Sequence, residues 1–335
     1  FISAILGIGG GLGVVLAGVI VDHMSYHYLF WFPLIGIFIA TVMTYFFVPE
    51  SPLKTPGKIN WLAAVLMSLG IAATLTAVSQ GAQWGWGASK TILLMLAGVA
   101  LIAAWIRVEL SADEPLVDMK MMEIKGVWTT NLVAFLLGAG MFSLFLLIPQ
   151  LVQLPVSTGY GFGATVTEAG LYLLPSTILM MSVGSFAGRF EARFGLKPPL
   201  IAGVAFTAAA FVLLIIDHGS SIDIYVSTSL LGIGLGLAYA ALPNLIVQNV
   251  PPEQTGVATG MNAVMRSLGG AVGGQVVAAM LSSNLTADGH PPDSSFTLAF
   301  WFALGSLAVA VAVATLIPSR NRLSVWRASS TPVTE

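Results

Sequence analysis

The sequence contains no cysteine and very little charge. Without cysteine there is no disulfide, no thiolate nucleophile and no thiolate metal site, and nothing follows about redox compartment. Lys and Arg number 13 and Asp and Glu 15 in 335 residues, a charged fraction of 8% against about 25% in ordinary soluble domains. So few ionic groups cannot cover a water-facing surface, and a net charge of −2 excludes the basic face that nucleic-acid binding requires. Also missing are Gly-x-Ser-x-Gly, a P-loop and His-Glu-x-x-His, which leaves hydrolysis and ATP-driven pumping without residues to run on. No metal or cofactor is expected. Residue 1 is Phe within an apolar run, with no basic segment or cleavage site of a signal peptide, and the expectation is a chain whose N-terminal part is missing.

What is abundant is apolar, 56% of all residues. A transmembrane helix needs about 20 mainly apolar residues, and ten runs of low charge satisfy this, near residues 1–21, 29–48, 61–79, 90–108, 128–152, 166–188, 198–216, 223–248, 256–284 and 296–317. The stretch from Gly126 to Thr167 is too long for one span; its tail, rich in Gly and Pro, predicts a loop. Thr165-x-x-Glu168 then has the spacing of a capping box that starts the next helix.

An even number of spans puts both chain ends on one side. That side holds Lys54, Lys58, Arg107, Lys120, Lys125, Arg189, Arg193, Lys197, Arg320, Arg322 and Arg327, the other only Lys90. By the positive-inside rule both ends are cytoplasmic, in a multi-pass protein of the cell membrane. The remaining base, Arg266, is the only formal charge that these runs place well inside a span. An intramembrane charge is costly enough to mark function by default. It either binds an anionic substrate group or pairs with a carboxylate elsewhere, or it ties its helix to neighbouring carbonyls. Asn262 is one turn away on the same face. With Asn131, Asn244 and Gln275 it makes a set of intramembrane amides that line a pathway or satisfy neighbouring helices.

Glycine is concentrated in the first and ninth runs, where Gly9-xxx-Gly13 and Gly269-xxx-Gly273 have the small-xxx-small spacing that lets helix backbones approach in lipid. Gly232, Gly234 and Gly236 followed by Pro243 suit a bendable or broken helix. Interrupted, glycine-dense helices in two halves of a chain point to a transporter built of repeats. His23, His27, His218 and His290 all fall in outer loops without ligand spacing, and Asp22-His23 and Asp217-His218 repeat a pair there.

These residues together resemble the major facilitator superfamily, and within it the fourteen-helix drug:proton antiporters. Gly9, Gly13, Gly18, Asp22, His23 and Phe30 match that family's antiporter motif, with Val14 where it has Pro and Tyr26-His27-Tyr28 where it has Trp-Arg-Trp. Gly57-Lys-Ile-Asn-Trp61 and Ser79 to Trp86 are similar to the extra helix pair of fourteen-helix members, and Glu114-Pro-Leu-Val-Asp118 resembles the connector after it. Gly188, Arg193, Gly195 and Lys197 match the inter-helix loop motif that forms a cytoplasmic gate, with Ala192 in place of its Asp; Glu191 is one residue over. Pro251 to Gly260 and Arg266 to Gly270 are similar to the penultimate helix.

The resemblance implies an all-α polytopic membrane protein of major-facilitator-type bundles, ten helices present of fourteen. Residues 1–48 would be the last two helices of the N-terminal bundle, 49–127 the extra pair and its connectors, 128–317 the C-terminal six-helix bundle and 318–335 a cytoplasmic tail. The implied activity is proton-coupled efflux of drugs or other small amphipathic molecules by alternating access, with the proton as coupling ion and the lipid bilayer as setting. A dedicated metabolite or lipid transporter, and a non-transporting receptor or scaffold of the same fold, are the alternatives.

Overall fold

The computed structural model describes residues 9, 13, 16–48, 60–112, 115 and 117–318, and no strand occurs among them. Helix α1 is described over residues 16–23. It is followed by α2 (Tyr28–Phe47), α3 (Trp61–Trp84), α4 (Ser89–Ser111), α5 (Met119–Glu123), α6 (Lys125–Gln153), α7 (Val166–Phe194), α8 (Lys197–Ile216), α9 (Ser221–Val247), α10 (Thr255–Ser283) and α11 (Asp293–Leu316). Among the described residues, nine helices are long and apolar enough to cross a membrane, α2 to α4 and α6 to α11. Each coincides with an expected run. The run 1–21 falls largely outside the described residues, as do Lys54, Lys58, Glu114, Arg320, Arg322 and Arg327. The chain is a polytopic all-α membrane protein, and its outward side chains agree: Phe38 is 68% exposed and Leu93 66%, which only a hydrocarbon solvent accommodates at such density.

The helix ends follow local chemistry. The Thr165 hydroxyl accepts from the Glu168 N–H while the Glu168 carboxylate accepts from the Thr165 N–H, so the expected capping box starts α7. Ser220 and Asp223 form a second box at α9. Helix α7 runs to Phe194 and not to 188, because Arg189 and Arg193 end an apolar run without ending a helix; at a helix C-terminus bases are favourable, and Gly195, at φ +80°, stops it. Helix α4 likewise extends past the expected end and carries Glu109, buried, with the Trp105 indole N–H donating to it at 3.1 Å. Glu191 is inside α7. Glu109 and Glu191 are therefore also charges within membrane-length helices, near their ends, and Arg266 is the one well inside a span among the described residues. The connector after α4 forms the short α5, where Asp118 caps the Lys120 N–H at 2.9 Å and also accepts from Gln254 at 3.2 Å.

Helices α6 to α11 pack as one bundle, α6 against α10 and α11, α9 against α7 and α8, and α8 against α11. Phe211, Phe296, Phe300, Leu137 and Leu144 are fully buried between them. Helices α3 and α4 pair with each other and reach the bundle through α10. Helix α2 buries no residue.

Close approach at glycine sets the helix crossings. A Cβ on Gly273 would lie 2.6 Å from the Ala139 carbonyl oxygen of α6; Gly269 faces the Phe135 carbonyl, and from α6 Gly138 faces that of Arg266. The spacing Gly269-xxx-Gly273 is thus the α6–α10 contact. Helix α9 corrects an expectation. It is one continuous helix from Ser221 to Val247 through Pro243, and so is not broken at its glycines. Gly232 and Gly236 face the α7 backbone at Ser176 and Met180, and Gly234 faces α8 at Gly203 and Thr207. Alternate glycines serve two neighbours, which explains their spacing without a bend.

Candidate functional site

Arg266 lies eleven residues into α10, about 16 Å from its start at 1.5 Å per residue, which is mid-span on a hydrocarbon core about 30 Å thick. Its guanidinium carbon sits 4.6 Å from the centre of the Tyr239 ring on α9, a cation–π geometry. The Tyr239 hydroxyl donates to the Met141 sulfur on α6 at 2.8 Å. Three helices thereby converge on one partly buried cation. Among the described residues no carboxylate bridges it. The close contact of Gly138 with the Arg266 carbonyl fixes where on α6 this cation stands.

One turn before Arg266, the Asn262 side-chain amide donates to the Asn131 carbonyl oxygen on α6 at 2.9 Å, and both are buried. These two residues, separate candidates in sequence, are one pair that satisfies itself between α6 and α10. Asn244 is exposed on α9 and donates to Glu191 of α7 at 2.9 Å, away from the Arg266 group. Gln275 is partly buried two to three turns further along α10. The structure therefore brings Arg266, Asn262 and Asn131 together and leaves Asn244 and Gln275 apart. Tyr239 and Met141 were not nominated by the sequence; the one available signal was an aromatic set among small residues in Gly-Leu-Ala-Tyr239-Ala-Ala.

At the α7–α8 loop, Gly188 and Arg193 are exposed. The Lys197 ammonium donates to the Thr315 carbonyl at the end of α11 at 2.5 Å, where a cation meets the orphan carbonyls of a helix terminus. Glu191 has one carboxylate oxygen held by Asn244 and the other buried with no hydrogen-bond partner. It turns to α9 and forms no bridge with Arg193.

At the opposite end Gly18 packs on the backbone of Thr167, whereas among the described residues nothing lies within 4 Å of a Cβ on Gly9 or Gly13. The Thr167 N–H donates to the Asp22 carboxylate at 2.9 Å, and the Thr167 hydroxyl donates to the same oxygen. These two bonds hold the Asp22 carboxyl below its usual value, with the nearby His23 a smaller influence in the same direction. The His218 ring contacts Asp293 and the Leu214 carbonyl, each at 2.7 Å. His218 thus answers Asp293 and not its sequence neighbour Asp217, while Asp22 is held by Thr167. In the neighbouring loop burial, and then the charge of Asp293, push the Tyr160 phenol up. Among the described residues no group of three His, Asp or Glu is placed to hold a metal.

Residues 1–274 match the family model of the Major Facilitator Superfamily. The chain is 25% identical over 288 residues to the multidrug resistance protein Stp of Mycobacterium tuberculosis, covering 84% of this chain and 52% of that protein. It is 27% identical over 293 residues to the multidrug transporter protein MdtP of Bacillus subtilis, covering 85% and 53%. To the tetracenomycin C resistance and export protein of Streptomyces glaucescens it is 25% identical over 291 residues, covering 84% and 52%. The chain spans about half the length of the curated relatives it matches. Among solved structures, an auto-inhibited peptide transporter of the POT family shares the fold at a TM-score of 0.51 and 17% identity, covering 99% of this chain and 70% of that one.

Proposed function

The chain belongs to the Major Facilitator Superfamily, and from that premise we propose that it is part of an exporter of drugs or similar amphipathic small molecules. Residues 128–317 are its C-terminal bundle, 49–127 the extra pair, 1–48 the end of the N-terminal bundle and 318–335 a cytoplasmic tail. The observation that carries the reading is a mid-span cation, Arg266, resting on an aromatic ring with no carboxylate bridging it among the described residues. The cost of a charge within a span marks it by default as a functional group. Ring and cation side by side recognise a molecule with an apolar body and an anionic or polar edge. Asn131 and Asn262 hold the floor of this group in register, and Gln275 and Asn244 flank the pathway further along. The printed names of the relatives, two of them multidrug proteins and one an export protein, support the substrate class. Energy comes from coupled proton movement, in a cycle of alternating access.

In this reading the eleven bases on one side face the cytoplasm. The α7–α8 loop with Gly188, Arg193, Gly195 and Lys197 closes the inner end, Gly18 and Asp22 belong to the outer closure with α7, and Gly9 and Gly13 continue the antiporter-like motif along α1.

The test is Arg266→Ala and Arg266→Lys in the full-length protein, scored by efflux of a fluorescent amphipathic substrate at matched membrane expression. Ala should abolish efflux and Lys retain part of it. Normal efflux in the Ala variant overturns the assignment of Arg266.

A further inference from the structure

A cavity of about 890 Å³ opens between the second half of α7, the first half of α8 and the middle of α9, within the range of about 300–1,000 Å³ in which pockets take small ligands. It is distinct from the Arg266 group. Its α9 lining is Ile233 and Leu237, one turn apart, and Tyr239 is two residues beyond Leu237, about 200° around the helix. Its walls are apolar, with Phe186, Phe190 and Phe206 among them.

Its length has a scale. Along α7 the lining runs from Ser182 to Phe194, and from Ser182 to Arg193 is about 16 Å at 1.5 Å per residue, the depth of one leaflet of a hydrocarbon core about 30 Å thick. At the helix end its mouth carries two bases. The Arg189 guanidinium lies 5.2 Å from the Phe186 ring centre and that of Arg193 5.3 Å from Phe194. A guanidinium lying over a ring still presents its N–H edges. The nearby acid does not satisfy them: Glu191 turns to Asn244, and no ion pair of either arginine occurs among the described residues.

We propose that this crevice binds an anionic phospholipid of the leaflet at the Arg-rich end, an acyl chain lying along Phe186, Phe190 and Phe206 and the phosphate on Arg189 and Arg193. This rests on the orientation given above, in which that end is cytoplasmic. An apolar slot one leaflet deep ending in two unpaired guanidiniums matches a molecule with a long tail and an anionic head. Basic pockets between membrane helices at the cytoplasmic face are suited to such headgroups, and juxtamembrane bases contribute enough each that two predict a preference on the order of tenfold.

The experiment is native mass spectrometry of the delipidated full-length protein titrated with dioleoylphosphatidylglycerol, dioleoylphosphatidylcholine and glycerophosphoglycerol, the headgroup without tails. Phosphatidylglycerol should bind about tenfold more tightly than phosphatidylcholine, and glycerophosphoglycerol far more weakly than either. Arg189→Gln/Arg193→Gln should erase the preference, Arg189→Lys/Arg193→Lys should keep most of it, and Ala202→Trp, which fills the slot, should weaken both lipids. The proposal is overturned by equal binding of the two lipids, by a preference that survives the double Gln variant, by glycerophosphoglycerol binding as well as the lipid, or by a preference lost on deleting residues 319–335 with both arginines intact. Binding is read without transport, so its failure and a failure of the Arg266 efflux test are separate results.

Discussion

Three alanine substitutions along α10 grade how closely it approaches α6. Gly273 and Gly274 are neighbours in sequence with opposite surroundings. A Cβ at Gly273 would stand 2.6 Å from the Ala139 carbonyl oxygen and 2.7 Å from its Cα, whereas at Gly274 nothing lies within 4 Å. Real Cβ contacts stop near 3.0 Å, so Gly273→Ala requires the two backbones to part by at least 0.4 Å, from 2.6 to 3.0 Å. Overpacking of this kind costs about 1–3 kcal/mol, offset by the roughly 0.5–1 kcal/mol that Ala gains over Gly within a helix. A net loss of up to about 2.5 kcal/mol lowers the thermal midpoint by up to roughly 10 °C at about 2–4 °C per kcal/mol. Gly274→Ala has only the gain and should leave the midpoint unchanged or raise it. Gly269→Ala, whose Cβ would overlap the Phe135 carbonyl more deeply, should lose most. Thermal unfolding of the purified protein in detergent ranks the three. If Gly269→Ala and Gly273→Ala unfold with Gly274→Ala, the two backbones are not in contact and the reasoning fails.

The buried amide pair gives a second test. Asn262→Leu alone strands the Asn131 carbonyl oxygen and should cost about 1–3 kcal/mol, while Asn131→Leu/Asn262→Leu should be milder than the sum. The coupling in a double-mutant cycle of unfolding should be about 0.6 kcal/mol and no more than about 1.7, and strict additivity would refute the pairing. The Asp22 contact predicts a pH response. Because Thr167 holds that carboxyl below its ordinary 3.8, the contact is fully present above about pH 4 and is lost as pH falls through the lowered native value. A spin-label distance between the ends of α1 and α7 should stay constant from neutral pH to about 4 and widen only below it. In Asp22→Ala it should be wide throughout. An Asp22→Ala distance equal to wild type would mean that Thr167 does not hold α1.

The membrane helices were legible in the sequence because each is a property of a continuous run of residues. The capping box at Thr165 was legible for the same reason, since its two partners are three residues apart. The contacts of the site are not of that kind. Asn131 and Asn262 stand 131 positions apart, and nothing in either run says that they answer each other and not a ligand. Arg266 could be singled out by its cost, but its aromatic neighbour Tyr239 is on another helix and is known only once α9 and α10 are side by side. The glycines of α9 show the limit in the other direction: their composition fits a bend, and only the positions of α7 and α8 reveal that each makes room for a neighbour. Glu109 and Glu191 fall just past the ends of their apolar runs, at 108 and 188, because an apolar-run criterion ends where charge begins, and a helix does not.

The seam between α6 and α10 meets through bare backbone, at Gly138, Gly269 and Gly273. Where side chains separate two helices, their rotamers absorb small displacements like a cushion; here that cushion is missing. The pair therefore behaves as a single stiff strut, with Arg266, Asn262 and Asn131 mounted on it at fixed mutual positions. The Tyr239 ring is tied to the same strut through Met141 of α6, so a displacement of α9 against α6 would be felt directly at the Arg266 guanidinium that the ring faces.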